Sequence, residues 1–125
     1  MSTPALFKFI DADGAHLVYK HWDGDPASAS DYIEKAKRLA WDLPRFEPDE
    51  FAAAFVAGNK GKGGGDVRLA RDLNDYAEYL YEVRCINGVL QVCCSSYEGS
   101  EKTRFKKLFA GTLDEFRTWA ALEGL

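Results

Sequence analysis

Asn87-Gly88 stands between two alternating runs, Tyr79 to Ile86 and Val89 to Ser96, and no other feature of the sequence constrains the fold as tightly. A two-residue hairpin loop needs positive φ at both positions, which Asn-Gly supplies at little cost. The turn therefore fixes a register. Ile86 faces Val89, Cys85 faces Leu90, Val83 faces Val92 and Tyr81 faces Cys94. One face of the hairpin then gathers Tyr79, Tyr81, Val83, Cys85, Leu90, Val92 and Cys94, the composition of a core. The other pairs Glu82 with Cys93 and Arg84 with Gln91, as a solvated or helix-edge surface would.

The rest of the chain supplies partners for that face. Ala5 to Ile10 and His16 to Trp22 are strand-forming runs around the turn cluster Asp11-Ala12-Asp13-Gly14, which predicts a first hairpin. Asp23-Gly24-Asp25-Pro26 closes its second strand. A helix follows, with Ser28 or Ser30 as N-cap, Asp31 in the first turn, and Tyr32, Ala36, Leu39 and Leu43 on its apolar face. Pro48 opens a second helix with Asp49 and Glu50 in its first turn, and Gly58-Asn59 stops it. Val67, Leu69, Arg71 and Leu73 alternate with Arg68, Ala70 and Asp72 and predict a short strand with one buried face. Thr103 to Ala110 predicts another, with Phe105 and Phe109 directed to the core. Thr112 and Glu115 have capping-box spacing and open a last helix with Phe116, Trp119, Ala120 and Leu122 inward. The expected fold is one α+β domain over residues 1–125: an antiparallel sheet of five to six strands and three helices, in the order ββ-αα-βββ(β)-α, with the helices mainly on one face.

Composition excludes several classes of function. With 125 residues, 46% hydrophobic and 14% aromatic, the chain can bury a core. A net charge of −4 argues against direct nucleic-acid binding through bulk electrostatics. There is no apolar run of membrane-spanning length and no signal-peptide pattern, so the expected compartment is the cytoplasm and no membrane partner is expected. Cys85, Cys93 and Cys94 are odd in number, which speaks for reduced thiols. With His16 and His21 they make no metal-ligand spacing, and neither a metal nor a cofactor is expected.

Four constellations could carry chemistry. The segment from Asn59 to Asp66, with Lys60 and Lys62, lacks the Lys-Ser/Thr ending of a phosphate-binding loop and reads as a mobile connection. His21 with Asp23, or His16 with Asp13, could form an acid–base pair, since a carboxylate can orient an imidazole. Cys93 lies near Arg84, which could modestly favour its thiolate, or it is simply a small residue filling the sheet surface beneath a helix. Lys102, Arg104, Lys106 and Lys107, interleaved with Phe105 and Phe109, could contact single-stranded nucleic acid, or could guard an edge strand.

Tyr19-Lys20-His21-Trp22-Asp23-Gly24-Asp25-Pro26, followed by a helix and later by Gly64-Gly65-Asp66-Val67-Arg68-Leu69 and the strand Tyr79-Leu80-Tyr81-Glu82-Val83, resembles a pattern in small uncharacterised phage and prophage proteins. Those proteins carry a Tyr-x-His-x-Asp-Gly-Tyr-Pro stretch, and Asp25 stands here where the pattern has Tyr. The resemblance covers roughly half of the chain and brings no catalytic residues with it. It implies a mobile-element context, in which small proteins act by stoichiometric binding to host machinery, anti-CRISPR inhibitors among them. The expectation is a non-enzymatic module, monomer or homodimer, that binds a host protein or nucleoprotein complex through His21, Trp22, Asp23 and Asp25, with Lys60 and Lys62. The alternatives are a hydrolase or transferase using His21 and Asp23, and a weak nucleic-acid binder using Lys102 to Lys107.

Overall fold

The computed structural model describes residues 2–61, 65–99 and 104–123, which form six strands and three helices in an α+β arrangement. Strands β1 (Ala5–Asp11) and β2 (Gly14–Lys20) pair from Asp11 opposite Gly14 to Ala5 opposite Lys20. Their turn is held by the Asp11 carboxylate, which accepts the N–H groups of Asp13 and Gly14 at 2.9 and 3.1 Å. Helix α1 (Pro26–Leu39) starts earlier than either serine would set it, because Pro26 fits the first helical position and makes Asp25 the cap. The Asp25 carboxylate accepts from Ser28 N–H at 3.2 Å, Ser30 Oγ turns back to Ala27 O, and Asp31 falls beyond the first turn. Helix α2 (Pro48–Asn59) has Pro48 at its start and Asp49 and Glu50 in its first turn, as expected.

Strand β3 (Val67–Ala70) is shorter than the sequence alternation suggests. It lies at the sheet edge, where the helix layer covers Val67 and leaves Leu69 75% exposed. The chain then returns through residues 71–78 to strand β4 (Tyr79–Ile86), which lies on the far side of β1. That crossover makes β4 run parallel to β1, so the sheet is mixed rather than antiparallel, in the order β3-β2-β1-β4-β5-β6. Strand β5 (Val89–Tyr97) pairs with β4 in the register that Asn87-Gly88 dictates, with φ of 52° and 77° at the two turn residues.

Strand β6 (Phe105–Thr112) carries a bulge: Ser95 faces Lys107 while Cys94 faces Phe109, leaving Leu108 as the extra residue. Phe105 and Phe109 consequently pack on opposite faces of the sheet rather than in one core. Helix α3 (Leu113–Glu123) opens on a reciprocal capping box, with Thr112 N–H donating to Glu115 Oε1 at 2.9 Å and Glu115 N–H to Thr112 Oγ1 at 3.1 Å. Phe116 and Ala120 are buried and Trp119 half-buried, while Leu122 lies in the outer turn at 65% exposure instead of facing inward.

All three helices lie on one face. There Phe7, Phe9, Val18, Tyr81 and Val83 of the sheet pack against Ile33, Phe51, Phe55 and Phe116. On the other face, a smaller cluster of Leu6, Tyr19 and Leu80 is completed by Ala77, Leu73 and Phe105.

Candidate functional site

Alternation along β2 puts Lys20 on the same face as Val18, the helix-covered face, and Lys20 is only 4% exposed. A buried ammonium must find partners or lose its proton. Lys20 Nζ donates to Asp66 Oδ2 at 2.8 Å and to Trp22 O at 2.9 Å, and sits 4.6 Å from the centre of the Tyr32 ring. Asp66 also takes Trp22 N–H on Oδ1 at 2.9 Å, and its carbonyl accepts His21 N–H at 2.7 Å. One residue thus fixes three consecutive residues at the end of β2. Burial alone would raise the Asp66 carboxyl pKa. The hydrogen bonds from Lys20 and Trp22, with the Lys20 charge, outweigh it and hold the group below the ordinary range.

The neighbouring residues are equally restrained. Tyr19 Oη lies 2.8 Å from His21 Nδ1, the Arg68 guanidinium lies 4.4 Å from the centre of the Tyr19 ring, and Trp22 meets His21 edge-on at 4.5 Å. Burial raises the Tyr19 phenol above its usual pKa, with Arg68 opposing. Asp23 takes a φ of 53°, a left-handed conformation that Asp tolerates better than most residues. Gly24 donates to Thr3 O at 2.7 Å and accepts from Tyr81 Oη at 2.6 Å. A Cβ there would stand 2.4 Å from Thr3 O, so only glycine fits.

The residues expected to form a site are therefore partly assembled. His21, Trp22, Asp23 and Asp25 lie along one clamped segment, with Trp22 and Asp23 exposed and His21 and Asp25 half-buried. Among the described residues no hydrogen bond joins His21 to Asp23; the imidazole is oriented by Tyr19 instead. Asp25 turns to the start of α1. Lys60 caps the end of α2 and reaches Val67 O at 3.3 Å, while Lys62 and part of the glycine-rich segment lie outside the described residues. Lys20, Asp66 and Tyr19 were not among the expected site residues. The signal for Lys20 was present in the strand alternation, because a lysine in phase with Val18 needs a buried partner.

The other two constellations also find their places in the fold. The Cys93 thiol pKa is raised, first by burial and then by Glu82, and the nearby Lys107 and Arg84 only oppose this, so its thiolate is disfavoured. Arg104 spends its guanidinium on Asn74 O at 2.7 Å and Asp75 O at 3.0 Å, while Lys106 and Lys107 stay exposed on β6 and Lys102 lies outside the described residues. Among the described residues no group of three or more His, Cys, Asp or Glu side chains is placed to hold a metal ion, and no helix is long and apolar enough to cross a membrane. Comparison with protein families, with curated proteins and with solved structures gives no match.

Proposed function

We propose that this chain is a protein-binding module that acts by stoichiometric contact, with the end of β2 as its contact surface and Trp22 as the anchor. One observation carries this reading. Trp22 is 47% exposed, yet its N–H is bound by Asp66 and its C=O by Lys20. An exposed indole on a restrained backbone pays little ordering cost on binding, and tryptophan is among the residues that dominate interface energies. Asp23 beside it adds exposed negative charge suited to a basic rim on the partner. The resemblance of Tyr19 to Pro26 to phage and prophage proteins supports a host protein or nucleoprotein complex as that partner, and inhibition of a host defence assembly such as a CRISPR effector as the outcome.

The test is capture from a lysate of the native host at moderate salt, with wild type and Trp22→Ala compared side by side. A stoichiometric partner is expected with wild type. Trp22→Ala should weaken it by at least about 2 kcal/mol, roughly thirtyfold in affinity, with thermal stability unchanged. Equal capture by both proteins would remove Trp22 as anchor and sink this reading. A hydrolase or transferase would instead use His21 oriented by Tyr19, and a turnover lost in His21→Ala while capture persisted would replace the binding reading.

A further inference from the structure

A second site lies at the same end of the sheet but on its helix-covered side. A cleft of about 300 Å³ opens between the first residues of α1, the last turn of α3, β4 and the bulge of β6. The β6 bulge contributes Leu108 to its lining. Trp119 and Glu123, four residues apart on α3, share one face of the helix and both line the cleft. Tyr79 and Asp25 contribute from the sheet and from the cap of α1.

The chemistry of these walls is one-sided. Both aromatic rings are half-buried and backed by a second ring, Tyr79 by Tyr81 with centroids 5.9 Å apart and Trp119 by Phe109 at 5.1 Å, each tilted by only 19°. They are held in place. Among the described residues no Lys or Arg lines the cleft, and neither Asp25 nor Glu123 has an ion-pair partner. Asp25 and Glu123 line the cleft together with Tyr79, whose phenol pKa is raised by burial and further by Cys94, Glu78 and these two carboxylates.

We propose that this cleft binds an alkylammonium group, seating its carbon stem against Trp119, Tyr79 and Leu108 and its charge between Asp25 and Glu123. The ring faces attract a cation through their quadrupoles, the carboxylates supply full opposite charge, and an anion would meet repulsion from both. A lysine side chain and a free aliphatic amine share this chemistry. The site stands whether or not Trp22 anchors a partner.

The experiment is a titration of the full chain with n-butylammonium chloride, followed by the NMR signals of the Trp119 indole N–H and the Ala120 amide, with n-butanol as the uncharged control. Saturating shifts in the millimolar range are expected with butylammonium and not with butanol. Asp25→Asn keeps the helix cap, since Asn caps as well as Asp. Combined with Glu123→Gln it should weaken binding about tenfold, the size expected when two partly exposed charge contacts are lost. Absence of saturation at about 100 mM, equal shifts with butanol, or unchanged binding in the double variant would each overturn the proposal. Nα-acetyl-lysine methylamide separates the sources: binding about tenfold tighter than butylammonium assigns the cleft to a protein lysine, and equal or weaker binding to a free amine.

Discussion

The two faces of the sheet are closed by different physics. On the helix side, closure is by area: the Phe7 ring lies 4.5 Å from Phe55 and 5.0 Å from Tyr81, Phe9 lies 5.2 Å from Phe51, and all five side chains are buried. On the other side, residues 71–78 cross a small cluster of Leu6, Tyr19 and Leu80 without a helix or strand of their own. A few directional bonds hold that crossing, chiefly Arg104 to the carbonyls of Asn74 and Asp75 and Glu78 N–H to Pro4 O at 2.8 Å. A face closed by area shares every loss with the whole domain. A face closed by a few pins should open locally, because each pin can break without exposing the larger core.

The strongest way to break this contrast is Phe7→Ala. A cavity beneath α1 and α2 should cost about 3–5 kcal/mol, seen as a lower denaturation midpoint at unchanged slope. A loss below about 1 kcal/mol would mean that the helix face is loosely packed and the contrast false.

Next in size is the clamp at the end of the helix-covered face. Asp66→Ala leaves the buried Lys20 ammonium with Trp22 O as its remaining hydrogen-bond acceptor, and should cost about 3 kcal/mol. Lys20→Met should cost less, because the Asp66 side chain is 29% exposed and can hydrate when its partner is gone. Denaturation of both variants checks the asymmetry. If Lys20→Met proved the more damaging, the ammonium would not be the desolvated partner.

Smaller still is Arg104→Ala, which removes two charge-assisted bonds at exposed carbonyls and should cost about 1–2 kcal/mol. Its readout is hydrogen exchange. Amides in residues 71–78 should exchange faster, while those of Val83 and Val92 in the central hairpin keep their protection. Acceleration at both places would show that the crossing loop and the helix-side core open together.

What the sequence makes legible follows the same division between local and distant causes. Asn87-Gly88 sets the β4–β5 register, Thr112 and Glu115 cap each other three residues apart, and Pro48 starts α2, because each of these needs only its neighbours. Ser28 fails as a cap for an equally local reason, since Pro26 fits the first helical position and hands the cap to Asp25. The parallel β1–β4 pairing is different: nothing in either strand states which edge the chain will return to after β3. The Lys20–Asp66 bridge spans 46 residues, and its two ends lie on either side of α1 and α2. Only the phase of Lys20 on β2 hints at it. Of the candidate site, the segment from His21 to Asp25 is therefore visible in the sequence, while Asp66, the residue that holds it in place, is not.

The smallest expected effect is also the most specific, because it separates the Asp66 clamp from every other source of acid sensitivity. Asp66 is held below its ordinary pKa in the fold, so the unfolded chain binds its proton more readily than the folded chain does. Its contribution is then fully present above the unfolded value of about 3.9 and is lost as pH falls through the lower folded value. Asp66→Asn removes this titration while keeping a carbonyl oxygen that can accept from Lys20. The stability of wild type should therefore fall more steeply than that of Asp66→Asn below about pH 4, and the two curves should run parallel above pH 5. The comparison is made by urea denaturation at a series of pH values. Parallel curves through the acid range would mean that Lys20 and Trp22 do not favour the ionised carboxylate, and the end of β2 would then be held by packing, as the helix face is, rather than by a polar pin.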